Sequence, residues 1–170
     1  MIGRPESNEA APYYFKYIDL VQGADPLQVI ESQLDTCLRM FSGISEEKSQ
    51  YRYAAGKWSL RQLLNHVTDT ERAFAFRILW FARGFSSPLP DYDQNIAAAG
   101  AEADSVTWAD HVEEFRQVRL STISLLKNLP RGAWMGTGVA SDNTFTVRAV
   151  AFIAAGHLAH HLAILQQRYL

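Results

Sequence analysis

Apolar residues recur at steps of three and four in four separate stretches of the chain, each with its own start and stop signals. The first opens at Asp25-Pro26-Leu27-Gln28, where Asp25 suits the cap, Pro26 the first helical position and Gln28 a capping-box-like spacing. Leu27, Ile30, Leu34, Leu38 and Phe41 follow, and Gly43 ends the run. The second opens on the capping box Ser59-Leu60-Arg61-Gln62 and runs through Leu63, Val67, Phe74, Ile78 and Phe81 to Gly84. The third starts near Thr107-Trp108-Ala109-Asp110, carries Val112, Phe115, Val118, Thr122, Leu125 and Leu126, and stops at Pro130. The fourth begins near Thr146 and runs through Val150, Ile153, Leu158, Leu162 and Leu165 almost to the last residue. No period-two segment competes, and the tyrosine-rich start (Tyr13, Tyr14, Tyr17) reads as extended.

Four amphipathic helices predict an all-α four-helix bundle, with residues 1–170 as one domain. The link from Phe85 to Val106 holds 22 residues, Pro88 and Pro90 among them. Antiparallel neighbours need only about 2–8 residues between them. A link of this length can run the length of the bundle, so the third helix is expected parallel to the second, in an up-down-down-up order.

Composition narrows the function. With 48% hydrophobic and 20% charged residues, a net charge of −2 and a pI near 6.2, the chain reads as an ordinary globular protein without the basic footprint of a nucleic-acid binder. The single cysteine, Cys37, forms no internal disulfide or thiolate metal cluster and reads as a core residue. The first ten residues carry Glu6 and Glu9 where a signal peptide is apolar, and the longest strictly apolar run, Ala149 to Ala155, has seven residues. A membrane span needs about 20. No membrane role and a cytoplasmic location are the expectations.

The histidines carry the candidate chemistry. On a helix, His157 and His161 lie about 40° apart and one turn along the axis, so both share a face, with His160 about 60° to the side. Val150, Ile153 and Leu165 place that face on the apolar stripe. Two imidazoles in a core leave ring nitrogens to satisfy, and a metal ion removes that cost. His66, beside the apolar stripe of the second helix, lies about 10 Å from its helix start, while His161 lies about 13 Å from the chain's end. Antiparallel packing of these helices brings the three imidazoles to one depth. Two readings stand: a three-histidine metal site with a position open to water or substrate, or satisfied core histidines with no metal. Position 158 is Leu, where a zinc hydrolase of the His-Glu-x-x-His type has its base, so peptide hydrolysis by that route is disfavoured. Asp69, three residues after His66, is a candidate to orient an imidazole or, like His160, to move protons. Glu71 and Arg72 read as a surface or inter-helix ion pair, His111 as a surface or half-buried residue, and Trp58 and Tyr53 as core anchors or a pocket wall.

The stretch from Tyr53-Ala54-Ala55-Gly56-Lys57-Trp58 through Asn65-His66-Val67-Thr68-Asp69 to Arg72, with Gly156-His157-Leu158-Ala159-His160-His161, resembles the DinB family of YfiT-like metalloproteins. The resemblance implies an up-down-down-up bundle holding a divalent ion, zinc or nickel, on His66, His157 and His161. It also implies a metal-dependent transferase or isomerase using a low-molecular-weight thiol against an electrophilic substrate, with homodimers common. The expected activity is activation of a small thiol, or of water, at the metal, hence a transferase or a hydrolase. Many relatives have an acid after the first histidine of the last helix; Leu158 departs from that pattern. A metal-stabilised, stress-linked interaction module without turnover is the alternative.

Overall fold

All four anticipated helices form in the computed structural model, which describes residues 2–170: α2 (Pro26–Phe41), α3 (Leu60–Ala82), α5 (Trp108–Lys127) and α6 (Val147–Arg168). Their ends follow the local chemistry. Ser59 and Gln62 exchange side chain–backbone hydrogen bonds at 3.0 Å in a complete capping box. Thr107 and Thr146 cap α5 and α6 through the amides of Asp110 and Ala149. At α2 the Asp25 carboxylate accepts from Leu27 N, and the anticipated reciprocal bond of Gln28 does not form. Gly84, with φ +77, closes α3 in the left-handed conformation that a side chain disfavours.

Pairwise contacts fix the direction of each helix. The Trp108 indole at the start of α5 donates to Phe41 O at the end of α2, so these two run antiparallel. Arg61, at the start of α3, donates to the carbonyls of Asp104 and Val106 just before α5. Further along, Arg72 on α3 meets Glu114 on α5, so this pair is parallel. The Tyr169 hydroxyl at the end of α6 reaches Trp58 O ahead of α3, an antiparallel pair. The order is therefore up-down-down-up, as the long link suggests. That link is not structureless: it contains α4 (Gln94–Gly100), capped by Asp93, which packs on α3.

A buried polar chain crosses the bundle. Arg119 on α5 is fully buried, donates to Glu71 on α3 at 2.6 Å and bonds Gln33 on α2, whose amide donates to Ala155 O on α6 at 2.9 Å. Glu71 thus pairs inward with Arg119, correcting its expected pairing with Arg72, which binds Asp69 and Glu114 at the surface. His111 is buried, not superficial, with Nε2 at 2.8 Å from Ala103 O.

Two further elements depart from the sequence reading. The tyrosine-rich start is helical, a 3-10 turn at Pro12–Tyr14 followed by α1 (Phe15–Ile18), because its backbone lies on α6. A hairpin, β1 (Thr137–Ala140) with β2 (Asn143–Thr146), precedes α6. Its turn residues Ser141 and Asp142 both have positive φ (49 and 58), so a two-residue turn of the kind usually marked by Asn-Gly or Asp-Gly is made here by Ser-Asp. α6 is itself long and apolar enough by composition to cross a membrane, but most of that stretch is buried inside the bundle.

Gly156 is where α1 meets α6. A Cβ built at this position falls 1.9 Å from Tyr17 O, backbone that cannot yield as a flexible side chain does. Alanine ordinarily favours a helix interior by about 1 kcal/mol over glycine. Here the Gly156→Ala protein is expected to be less stable than the parent by about 1–3 kcal/mol, the usual cost of overpacking. Urea denaturation checks this; a stabilised variant would show that α1 does not press on α6.

Candidate metal centre and pocket

α3 and α6 cross so that His66 faces His157 and His161, placing three imidazoles at one depth as the residue counts suggest. His66 Nε2 lies 3.2 Å from His161 Nε2, which lies 3.1 Å from His157 Nε2. The three ligand atoms fall within 4.8 Å of one another. A neutral imidazole has one acceptor nitrogen, and one shared proton on His161 Nε2 cannot satisfy both of its neighbours well. Burial also disfavours adding protons: His66 is held down to about 4, His161 to about 3, and His157 well below its ordinary value. Desolvation is the main cause in each, with the neighbouring imidazoles adding to it at His157 and His161. Neutral imidazoles with converging lone pairs suit a divalent ion, so the donor set fits the group the resemblance implies.

The surroundings hold the rings in place. Trp58 packs on His66 with ring centroids 4.9 Å apart, which makes it a wall of the site. Tyr17 and Phe74 flank His157 edge-on at 5.5 and 5.7 Å. Thr70 Oγ1 sits 3.4 Å from His66 Nδ1, a long contact, whereas Asp69, the residue anticipated beside this imidazole, bonds Arg72 at 2.9 Å. His161 Nδ1 is buried without a partner among the described residues. His160 stays outside the cluster, half-buried against Tyr17 and His161, and burial together with the Lys16 ammonium lowers its pKa.

Two openings reach the histidines. A pocket of about 340 Å³ exposes His66 and His157, with Thr70, Phe74, Arg77 and Tyr92 in its wall and Tyr13, Tyr14 and Tyr17 along one side. On the other side, about 320 Å³ lined by Tyr53, Lys57, Trp58 and Tyr169 reaches His161. Asn95, from α4, belongs to both walls. The sequence marked the histidines but not Arg77, which lies about three turns along α3 from His66, nor Tyr92 and Asn95, which only the path of the long link brings to the site.

The family model of the DinB superfamily matches residues 30–165. The chain belongs to the DinB superfamily. Among solved structures it is similar to YfiT from Bacillus subtilis, named "a probable metal-dependent hydrolase with an unusual four-helix bundle topology". That match has a TM-score of 0.70 and 14% identity, covering 96% of this chain and 89% of YfiT. It is also similar to a mycothiol-dependent maleylpyruvate isomerase, with a TM-score of 0.68 and 13% identity over 81% of this chain and 58% of that one. A search of curated proteins finds no match. At these identities the likeness establishes the fold: this DinB-superfamily chain is an all-α four-helix bundle.

Proposed function

We propose that this DinB-superfamily protein is a metal-dependent enzyme that activates a low-molecular-weight thiol for attack on an electrophilic substrate. The observation that carries this reading is the convergence of His66, His157 and His161 beside an open pocket, with no cysteine or carboxylate in the cluster among the described residues. Structural zinc sites are closed by four protein ligands, and catalytic ones keep a position open. A divalent ion such as zinc or nickel, bound there, lowers the pKa of a thiol or water toward neutrality.

The chain's own groups favour thiol over water as nucleophile. Leu158 stands where a hydrolase of the His-Glu-x-x-His type has its general base, and no other carboxylate joins the cluster. Ionised sulfur needs no such base. The sulfur forms its bond to an electrophilic carbon as the leaving group departs with its electron pair, and the thiol proton passes to solvent. His160, whose pKa burial and the Lys16 ammonium lower, is the side chain we assign to carry that proton outward. Asp69, held by Arg72, acts only from a distance. The fold neighbour named as mycothiol-dependent supports a thiol partner, and YfiT's description supports the metal. A cytoplasmic, thiol-rich setting suits such a reaction, and a homodimer accords with the family resemblance.

The test combines zinc- or nickel-loaded protein with cysteine, glutathione or coenzyme A and monochlorobimane as electrophile. Fluorescent adduct formed faster than in the uncatalysed mixture, and lost in His66→Ala, is the expected result. Hydrolysis of p-nitrophenyl acetate without any thiol would overturn it in favour of a hydrolase. Retained metal with neither activity would favour the non-catalytic, metal-stabilised module.

A further inference from the structure

Three arginines are buried in this protein: Arg61, Arg77 and Arg119. Arg61 is paired with Glu46 and Arg119 with Glu71. Arg77 is only 7% exposed, yet it has no carboxylate partner among the described residues; its one hydrogen bond runs from Nη2 to Ser141 Oγ at 3.0 Å. A buried cation is costly unless an anion or several acceptors compensate it. Ser141 is itself oriented from behind, since its hydroxyl donates to Asp91 Oδ1 at 2.7 Å. Asp91 lines the same pocket as Arg77 and lies near enough that Ser141, the Tyr92 amide and the Arg77 charge lower its pKa, but it is exposed and makes no ion pair with the guanidinium.

Position explains what Arg77 faces. His66, Thr70, Phe74 and Arg77 follow one stripe of α3, and all four line the same pocket. Eleven helical steps separate His66 from Arg77, roughly 16 Å of axis; both side chains lean toward the helix N-terminus, and the longer arginine shortens the gap by about 3 Å. Asp93, also on that wall, spends its carboxylate on the amides that begin α4. Among the described residues, Arg77 is therefore the one Lys or Arg side chain in a pocket wall that also carries Asp91 and Asp93, and neither carboxylate takes up its remaining donors.

We propose that Arg77 is the anchor for an acidic group, so that this pocket takes a ligand whose reacting sulfur or carbon lies at the histidines and whose carboxylate lies at Arg77. This rests on the proposed function for what happens at the histidines; the anion site itself does not. An amphipathic carboxylic acid with an extended body along Phe74 and Tyr92 is the class that fits. Arg77 is a specificity residue in this account, set apart from the reacting atoms.

The test uses the zinc-loaded protein and two probes of equal length, ω-mercaptohexanoate and ω-mercaptohexanol, titrated by calorimetry. The acid is expected to bind about tenfold more tightly than the alcohol, the size of one hydrogen bond to a charged group. In Arg77→Gln that preference disappears while the affinity for the alcohol is unchanged. Equal affinities of the two probes for the parent protein would overturn the inference and leave the thiol reading standing. Should neither thiol bind, the thiol reading fails, and the anion site is decided separately. Hexanoate titrated into the metal-free protein is expected to move the Arg77 Nε–H signal in a proton–nitrogen correlation spectrum saturably, with hexanol inert. A signal that does not move overturns the proposal.

Discussion

Replacing His157 with alanine is expected to reduce bound zinc or nickel from about one equivalent to less than a tenth, because two remaining imidazoles hold a divalent ion far less well than three. His157 is packed between Tyr17 and Phe74 and only 6% exposed. A ligand that binds only the folded state stabilises it by about 4 kcal/mol at a thousandfold excess over its Kd. For a chain of this length that is on the order of 10 °C in Tm. Added zinc should therefore raise the Tm of the parent protein by about that amount and leave His157→Ala nearly unmoved. Mass spectrometry of metal content beside thermal melts checks both. Unchanged metal content in the variant would sink the site.

Acid provides an independent readout of the same cluster. Burial holds His66 at about 4 and His161 at about 3, both below the ordinary histidine value of 6.5. As pH falls, the unfolded chain takes up these protons before the folded one does, so the metal-free fold is fully supported above about 6.5 and loses stability as pH drops toward 4. The urea midpoint of metal-free protein should fall across that window, and bound metal should be released as protons compete for the same nitrogens.

The second large effect concerns the polar chain through the core. Arg119→Met leaves the Glu71 carboxylate, only 4% exposed, without its cation. Removing one member of a buried pair costs about 3–5 kcal/mol, which corresponds to a fall of roughly 10–15 °C in Tm. Gln33 loses a donor at the same time, and its bond to Ala155 O supports α6 one residue before Gly156. Combining Arg119→Met with Glu71→Leu removes both charges and is expected to recover most of the loss. Thermal melts of the two single variants and the double decide this. A cost below about 1 kcal/mol for the single Arg119→Met change would mean that water reaches Glu71 and the pair is not insulated.

Much of the bundle was legible because helices report themselves locally. The Ser59–Gln62 box, Gly84 and the threonines at 107 and 146 act within one turn of chain, and each works as its spacing suggests. The hairpin escaped because its strands have four residues each and its turn is Ser141-Asp142, a pair without the usual glycine. The helical start at Tyr13 to Tyr17 escaped for another reason: Gly156, far along the chain, makes room for that backbone. Glu71 was misread because adjacent residues on a helix point different ways, and one step separates the surface pair of Arg72 from the buried pair of Arg119.

The spacing of His157 and His161 placed two imidazoles on one face, since an α-helix has a fixed rotation per residue. Local sequence also determined four helices and, through a long link, their order. Which charges go inward, which acid stays away from His66, and where Arg77 points were decided by packing between segments far apart in the chain. Those outcomes depend on how whole helix faces meet, and a guanidinium gains or loses its partner through a neighbour such as Ser141, 64 residues away.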